Sequence, residues 1–205
     1  MMTPDDGVQH ETTLRGGDRV LIRPIRPSDK PLLLEAFQRL SPESRYRRFF
    51  SPVEELGASQ LRYLTEVDHD AHEALVALDP KTGAGVGVAR FIRLGADPAI
   101  AELGIAVVDE WQGRGLGTEL LHQLAARAGE KGVRRFSAFV MANNRPMLDL
   151  IRELGDAEVV DRDQGVVELL MDLPAEGGGE ALRHAVRAAA GGKLAVEPRH
   201  PVAGA

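Results

Sequence analysis

The residues best suited to chemistry lie in one short segment, residues 112–118, which reads Gln-Gly-Arg-Gly-Leu-Gly-Thr. An apolar run typical of a buried strand, residues 103–108, precedes it, and leucines at helical spacing, Leu120, Leu121 and Leu124, follow it. Glycines allow a ligand to approach the backbone closely, and the first turn of a helix offers free N–H groups at the positive end of its dipole. The order strand, glycine loop, helix therefore predicts an anion site, best matched by a diphosphate that contacts several amides.

Three glycine-loop patterns compete for this segment. A P-loop ends in Gly-Lys-Ser/Thr, whereas Gly117 is followed directly by Thr118. A dinucleotide-binding fingerprint needs G-x-G-x-x-G, and Gly113, Gly115 and Gly117 have a different spacing. The pattern Gln-x-x-Gly-x-Gly fits Gln112, Gly115 and Gly117, and in its place after an apolar strand it resembles the GCN5-related N-acetyltransferase (GNAT) family. The alternative is a purely structural turn between a strand and a helix.

This resemblance implies acetyl-coenzyme A (acetyl-CoA) as cosubstrate and no metal. The loop would hold the pyrophosphate, and the backbone of the preceding strand would pair with the pantetheine arm. The implied cofactor-binding residues are Ile105, Ala106, Val107, Gln112, Gly113, Arg114, Gly115, Leu116, Gly117, Thr118 and Asn144, with Asn143 as the neighbouring candidate for the asparagine. One position departs from the family. Many members have a tyrosine seven residues after that asparagine, where it can protonate the leaving thiolate, and here Ile151 occupies the position.

A second informative stretch, residues 40–52, combines a helix-capping serine and a proline with three arginines, Arg45, Arg47 and Arg48. It resembles the N-terminal region of the Pat-like bacterial protein lysine acetyltransferases, a branch of the GNAT family. The arginines either line a rim near CoA or the acceptor, or form a solvated helix face paired with acids. The resemblance implies a protein lysine as acceptor, with an acyl-CoA synthetase as an example of such a partner.

An acidic loop, residues 68–73, reads Asp-His-Asp-Ala-His-Glu. His69 and His72 together with these acids suggest a metal, but no third ligand has convincing spacing, so a polar loop before a strand is the better interpretation. In Pat-like enzymes the same loop lies near the acceptor. The resemblance therefore implies that Asp68 and Asp70 help to recruit a cationic lysine.

Acetyl transfer to a lysine needs a group that accepts a proton, because only about one lysine in a thousand is neutral near pH 7.4. Glu102, a few residues upstream of the pantetheine segment, matches the glutamate that acts as general base in Pat-like relatives. The alternative is an exposed strand glutamate in an ion pair. The chain contains no cysteine, so transfer would be direct, without an acyl-cysteine intermediate.

Composition narrows the remaining classes of function. The 205 residues carry a formal net charge of -6, and no block of Lys or Arg offers the footprint expected of a nucleic-acid-binding protein. No apolar run approaches the roughly 20 residues that a membrane span needs. Residues 1–9 lack the pattern of a secretory signal, so we expect a cytoplasmic protein.

The elements that must position these residues follow from the pattern of strands and helices. We expect an α/β (α+β) fold with a mixed, mostly antiparallel central sheet and helices on both faces. The GNAT resemblance adds a splayed strand pair, between the central strand and the strand at residues 133–141. We predict a flexible N-terminal lead over residues 1–17, a GNAT domain over residues 18–174, and a Gly/Ala-rich C-terminal tail over residues 175–205.

Three interpretations of function stay open at this point. The first is acetyl transfer to a protein lysine, by a monomer or a homodimer. The second is acetyl transfer to a small-molecule amine or a protein N-terminus. The third belongs to another class, an acyl-CoA-binding sensor module without turnover.

Overall fold

The computed structural model describes residues 9–93, 95, 97–155 and 157–173. Along the chain, runs of strands and runs of helices follow one another. They are β1 (His10–Thr13), β2 (Arg19–Pro24), α1 (Lys30–Gln38), α2 (Pro42–Phe49), α3 (Ala58–Thr65), β3 (His72–Leu78), β4 (Gly85–Ile92), β5 (Ile100–Val107), α4 (Leu116–Glu130), β6 (Arg135–Met141), α5 (Arg145–Leu154), β7 (Ala157–Asp163) and β8 (Val166–Asp172).

The strands of the described residues form a single sheet in the order β1-β2-β3-β4-β5-β6-β8-β7. Every neighbouring pair is antiparallel except β5 and β6, which run parallel. The sheet is buried on both faces, as alternation along β3 shows. Leu75 and Ala77 join the main core together with α4, whereas Val76 and Leu78 join a second cluster that includes Leu32 of α1. This arrangement confirms the predicted mixed sheet with helices on both faces.

The parallel pair β5–β6 separates soon after it begins. Register runs only from Ile100 opposite Arg135 to Glu102 opposite Ser137. On its other edge, β5 pairs with β4 all the way from Glu102 to Val107. The sheet therefore splits after Glu102, which confirms the splayed strand pair that the GNAT resemblance implies.

The N-terminal segment differs from expectation. The predicted flexible lead, residues 1–17, contains β1, which pairs with β2 from His10 opposite Ile22 to Thr13 opposite Arg19. Leu14, just after β1, is only 5% exposed and belongs to the main core. All four residues of β1 are polar, so the sequence shows no apolar alternation, and pairing with β2 rather than its own composition makes it a strand. Residues 1–8 and the predicted tail over residues 175–205 lie outside the described residues.

The helices agree closely with the sequence pattern. At the start of α2, the Ser41 hydroxyl accepts a hydrogen bond from the Ser44 amide at 3.2 Å, and Pro42 occupies the first turn, as the capping rules predict. The helix α5 begins at Arg145, directly after its N-cap Asn144. In the part of the chain that the structure describes, no helix combines the length and apolarity needed to cross a membrane.

Candidate active site

The glycine loop connects the end of β5 to the start of α4. Gly113 and Gly115 have φ angles of 70° and 86°, in the left-handed region where a side chain is strained. No side chain caps α4, whose N-cap is Gly115. Within the described part of the chain, the amides of residues 113–118 make no short, well-aligned hydrogen bond, although residues 112–115 form a turn. The loop thus presents free N–H groups at the positive end of a 15-residue helix, which suits an anion.

Gln112 holds the loop in place. Its side-chain Nε2 donates to the carbonyl of Val107 at 3.0 Å, and it lies 3.3 Å from the Ser44 hydroxyl of α2 and from the Asp109 carboxylate. The first residue of the motif therefore fixes the turn against the end of β5 and against α2.

A cavity of about 930 Å³ opens where β5 and β6 part. One wall is β5 with Ile105, Ala106 and Val107, and the glycine loop lies at one end. The opposite wall comes from β6 and α5, including Asn144, whereas Asn143 does not line it. The Asn144 side chain also caps α5 by accepting from the Met147 amide at 3.3 Å. The volume lies within the usual range for a cofactor site.

Glu102 lines the same cavity, at the point where the strand pair separates. Its side chain is half-buried and makes no ion pair within 4 Å among the described residues. Arg48 of α2 lines the same cavity, and its guanidinium packs so closely on Gly104 that a Cβ there would lie 2.8 Å from Nη2. Burial lowers the pKa of Arg48, and the charge of Glu102 opposes this effect. A carboxylate at this position is available to accept a proton.

The arginines of α2 divide between the two interpretations left open by the sequence. Arg47 and Arg48 line the cavity, and Arg47 also pairs with Glu43 within the helix at 2.6 Å. Arg45 donates to the carbonyls of Gln38 and Glu54 and stacks on the Phe37 ring. The cluster is therefore partly a wall of the cavity and partly a structural tie.

The position at which many GNAT members have a tyrosine acid is buried in this protein. Ile151 is 0% exposed and packs in the main core, away from solvent. The chain has two tyrosines, Tyr46 and Tyr63, and neither lines the cavity. No phenol stands ready to protonate a leaving group in this cavity.

Asp68 and Asp70, predicted to recruit the acceptor, lie outside the cavity that Glu102 lines. The Asp68 carboxylate folds back onto its own loop and accepts from the amides of Asp70 and His72 at 2.9 and 2.8 Å. These bonds, above all the one from His72, hold the pKa of Asp68 below its ordinary value. The structure therefore gathers Glu102 and the predicted cofactor residues in one place, except for Leu116, whose side chain is buried in the main core, and it leaves the two aspartates apart.

A buried charged cluster next to this loop was not foreseen from the sequence. Glu73 is 0% exposed and accepts from Arg127 of α4 at 2.7 and 2.9 Å and from the ring of His69 at 2.8 Å. Burial raises the pKa of Glu73, but the bonds from His69 and Arg127 outweigh it and lower the pKa overall. Glu73 and Arg127 are 54 positions apart, so no local spacing rule reveals them.

His72, next to Glu73, makes a further contact in this region. Its Nε2 accepts from Arg90, which is itself buried, at 3.0 Å. Burial and the Arg90 charge lower the pKa of His72 to about 4. Among the described residues, no three His, Asp or Glu side chains form a group that could hold a metal ion.

Comparison with known proteins agrees with this geometry. The family model described as the acetyltransferase (GNAT) domain matches residues 19–155. Acetyltransferase Pat of Mycolicibacterium smegmatis is 37% identical over 161 residues, which are 78% of this chain and 48% of that protein. Acetyltransferase PA5475 of Pseudomonas aeruginosa is 32% identical over 70% of this chain and 77% of its own length. The crystal structure of the GNAT domain of S. lividans PAT superposes with a TM-score of 0.75 at 34% identity, over 80% of this chain and 97% of that one.

The match to the mycobacterial protein spans about half of that relative's length, so the comparison concerns one of its parts. The family model covers most of the region that carries the sheet, the glycine loop and the cavity. The chain belongs to the GNAT family of acetyltransferases.

Proposed function

We propose that this acetyltransferase moves an acetyl group from acetyl-CoA directly to the ε-amine of a protein lysine. One observation carries the proposal. A single cavity has free loop amides at one end and the half-buried carboxylate of Glu102 at the other, with the free edge of β5 between them. A long ligand with a diphosphate at one end and a thioester at the other fits that order of groups.

The donor would lie along β5. The amides of residues 113–118 would bind the diphosphate, and the edge of Ile105, Ala106 and Val107 would pair with the amide groups of pantetheine. Asn144 would reach the same arm from the opposite wall. The thioester would then lie near Glu102, where β5 and β6 part.

The reaction needs one proton acceptor and a tolerable leaving group. The neutral amine attacks the thioester carbonyl, an N–C bond forms and the C–S bond breaks. Glu102 takes the proton of the amine, directly or through water. The CoA thiolate leaves without a phenol to protonate it and takes a proton from water. A thiol of pKa about 8.5 is acidic enough for its thiolate to leave in this way.

The resemblance to Pat-like protein lysine acetyltransferases supports a protein acceptor such as an acyl-CoA synthetase, and two of the similar proteins carry the name Pat. A second candidate, a small-molecule amine that carries an anionic group, is favoured by one observation. Arg48, rather than Asp68 or Asp70, lines the cavity beside Glu102. A guanidinium there suits a carboxylate on the acceptor better than a second cation.

Release of free CoA thiol from acetyl-CoA tests the proposal, with an acyl-CoA synthetase, a lysine peptide and free amino acids as separate acceptors. We expect release that depends on the protein acceptor, together with acetyl-lysine on that protein. Release with amino acids alone would favour the second candidate. Binding of acetyl-CoA without release above the hydrolysis background would contradict both and leave a sensor.

A further inference from the structure

The turn between β1 and β2 reaches the glycine loop. The Leu14 amide donates to the carbonyl of Asp18 at 2.8 Å, and the Gly17 amide donates to the carbonyl of Leu14 at 2.9 Å. The left-handed φ of Gly17, 87°, permits this tight turn. Because Leu14 is buried in the core, the next residue, Arg15, has a fixed backbone position.

Arg15 lies directly against the start of α4. Its Cβ and Cγ atoms would be 3.9 and 3.8 Å from a Cβ placed on Gly115. Arg15 and Gly16 both line the 930 Å³ cavity, on the side of the free loop amides. The Arg15 side chain is 61% exposed, so its guanidinium is free to move over the loop.

Arg15 lies near a carboxylate. Glu153 of α5 lies 3.9 Å from the Arg15 guanidinium, beyond hydrogen-bonding distance, and its Oε2 accepts from the Thr118 hydroxyl at 3.1 Å. An exposed ion pair of this length contributes little to stability. Glu153 thus places a negative group beside the first turn of α4, where an anion is favoured.

Arg114, the other arginine of the loop region, is already engaged. It pairs with Asp18 at 3.3 Å and stacks on the Trp111 ring at 5.3 Å. Arg15 is therefore the better placed of the two guanidinium groups to meet an incoming anion.

We propose that Arg15 binds a phosphate group of CoA and that Glu153 is the counter-ion it leaves when CoA enters. This inference deepens the proposed function and rests on it. A guanidinium binds phosphate through paired hydrogen bonds, which are stronger than a single long contact to a carboxylate. CoA offers a diphosphate and a ribose 3′-phosphate, which share this chemistry.

Calorimetric titration with CoA tests whether Arg15 binds a phosphate or only supports the fold. If it binds a phosphate, Arg15→Gln and Glu153→Gln should change CoA affinity in opposite directions. We expect Arg15→Gln to weaken CoA binding about tenfold, since a charge-assisted contact is lost. Glu153→Gln should tighten binding about twofold to threefold, because a competing charge is removed. Arg19→Gln is the matched control, since Arg19 lies on the same hairpin, pairs with Glu11 and does not line the cavity.

Titration with dephospho-CoA, which lacks the 3′-phosphate, identifies the phosphate. A loss for Arg15→Gln that persists with dephospho-CoA assigns Arg15 to the diphosphate, and a loss that disappears assigns it to the 3′-phosphate. Two results would overturn the inference: CoA affinity of Arg15→Gln within twofold of wild type, or a loss in Glu153→Gln as large as in Arg15→Gln. Wild-type protein that takes up no CoA would remove the proposed function itself.

Discussion

Glu102 stands at the last paired position of β5 and β6, so its carboxylate faces the opening between the two strands. If it takes the proton of the amine, Glu102→Gln should reduce turnover at least about tenfold, because positioned general bases contribute a hundredfold or more. CoA affinity should stay within twofold, since the loop amides and Arg15 are untouched. Steady-state thiol release and calorimetry measure the two quantities.

Glu55→Gln provides the control for the loss of a carboxylate, because Glu55 is exposed and lies outside the cavity. It should turn over like wild type. Undiminished turnover of Glu102→Gln would exclude Glu102 as the base and leave water in that role.

Two glycines with the same backbone conformation separate cofactor binding from stability. Gly115 and Gly132 have φ angles of 86° and 80°, at the start and just after the end of α4. Alanine at either position should cost about 1 kcal/mol of folding free energy, because the left-handed conformation is strained. Only Gly115→Ala should weaken CoA binding, by about tenfold, since its methyl group faces Arg15 and the anion site.

Urea unfolding and calorimetry on both glycine variants check this pair. A Cβ at Gly132 would meet nothing within 4 Å, so that variant isolates the backbone effect. Equal CoA affinity in the two variants would show that the loop is a structural turn and not an anion site.

At the scale of elements, the buried carboxylate of Glu73 joins the start of β3 to the far end of α4. Arg127 and the ring of His69 hold it, and the adjacent His72 accepts from Arg90 of β4. Breaking a buried pair of this kind leaves an uncompensated charge and typically costs about 3–5 kcal/mol. The cluster therefore fixes the loop of Asp68 and Asp70 relative to the helix that begins at the anion site.

This cluster makes stability depend on pH through His72. Its pKa is near 6.5 in the unfolded chain and about 4 in the fold, where burial and Arg90 disfavour the charged ring despite the nearby charges of Asp68 and Glu73. The histidine contribution is complete above pH 6.5 and is lost as the pH falls towards 4, because only the unfolded state then binds the proton. Between pH 7 and pH 5 we expect a loss of about 1–2 kcal/mol from this group.

Urea unfolding at pH 7, 6 and 5 measures the loss, with His72→Gln as the comparison. Glutamine keeps an acceptor for Arg90 but does not titrate. The free energy of unfolding of this variant should therefore fall less between pH 7 and pH 5, by about the contribution of His72. Comparing wild type with His72→Gln cancels the contribution of the other histidines. An equal loss of stability in the two proteins would mean that the His72 ring is protonated freely in the fold.

Local signals in the sequence predicted most of these elements. Ser41 and Pro42 start α2 as the capping rules require. The glycine segment links β5 to α4 as its pattern indicates, although its last three residues, 116–118, already form the first turn of α4. The same rules missed β1, whose residues His-Glu-Thr-Thr show no apolar alternation, because its strand state depends on pairing with β2. They also missed Glu73 and Arg15, whose partners lie 54 and 138 positions away and are brought close only by the assembled fold.

At the scale of the whole molecule, the cavity exists because two parts of one sheet diverge. Strands β1 to β5 supply Glu102 and the glycine loop, whereas β6 and α5 supply Asn144 on the opposite wall. Three residues on each strand hold the parts together along the β5–β6 register. A ligand that bridges the walls should therefore stabilise the fold, and saturating CoA at a hundred times its Kd would add about 2.7 kcal/mol.

The place where the folded domain begins can be tested by truncation. A chain that begins at Gln9 keeps β1, the buried Leu14 and Arg15, whereas one that begins at Asp18 lacks all three. We expect the shorter chain to lose about 2–5 kcal/mol, since removal of a buried leucine alone has that effect. It should also lose CoA affinity as Arg15→Gln does, whereas Leu14→Ala in the full chain should lose stability only. Urea unfolding and calorimetry separate these effects, and equal stability of the two chains would show that the domain begins at residue 18.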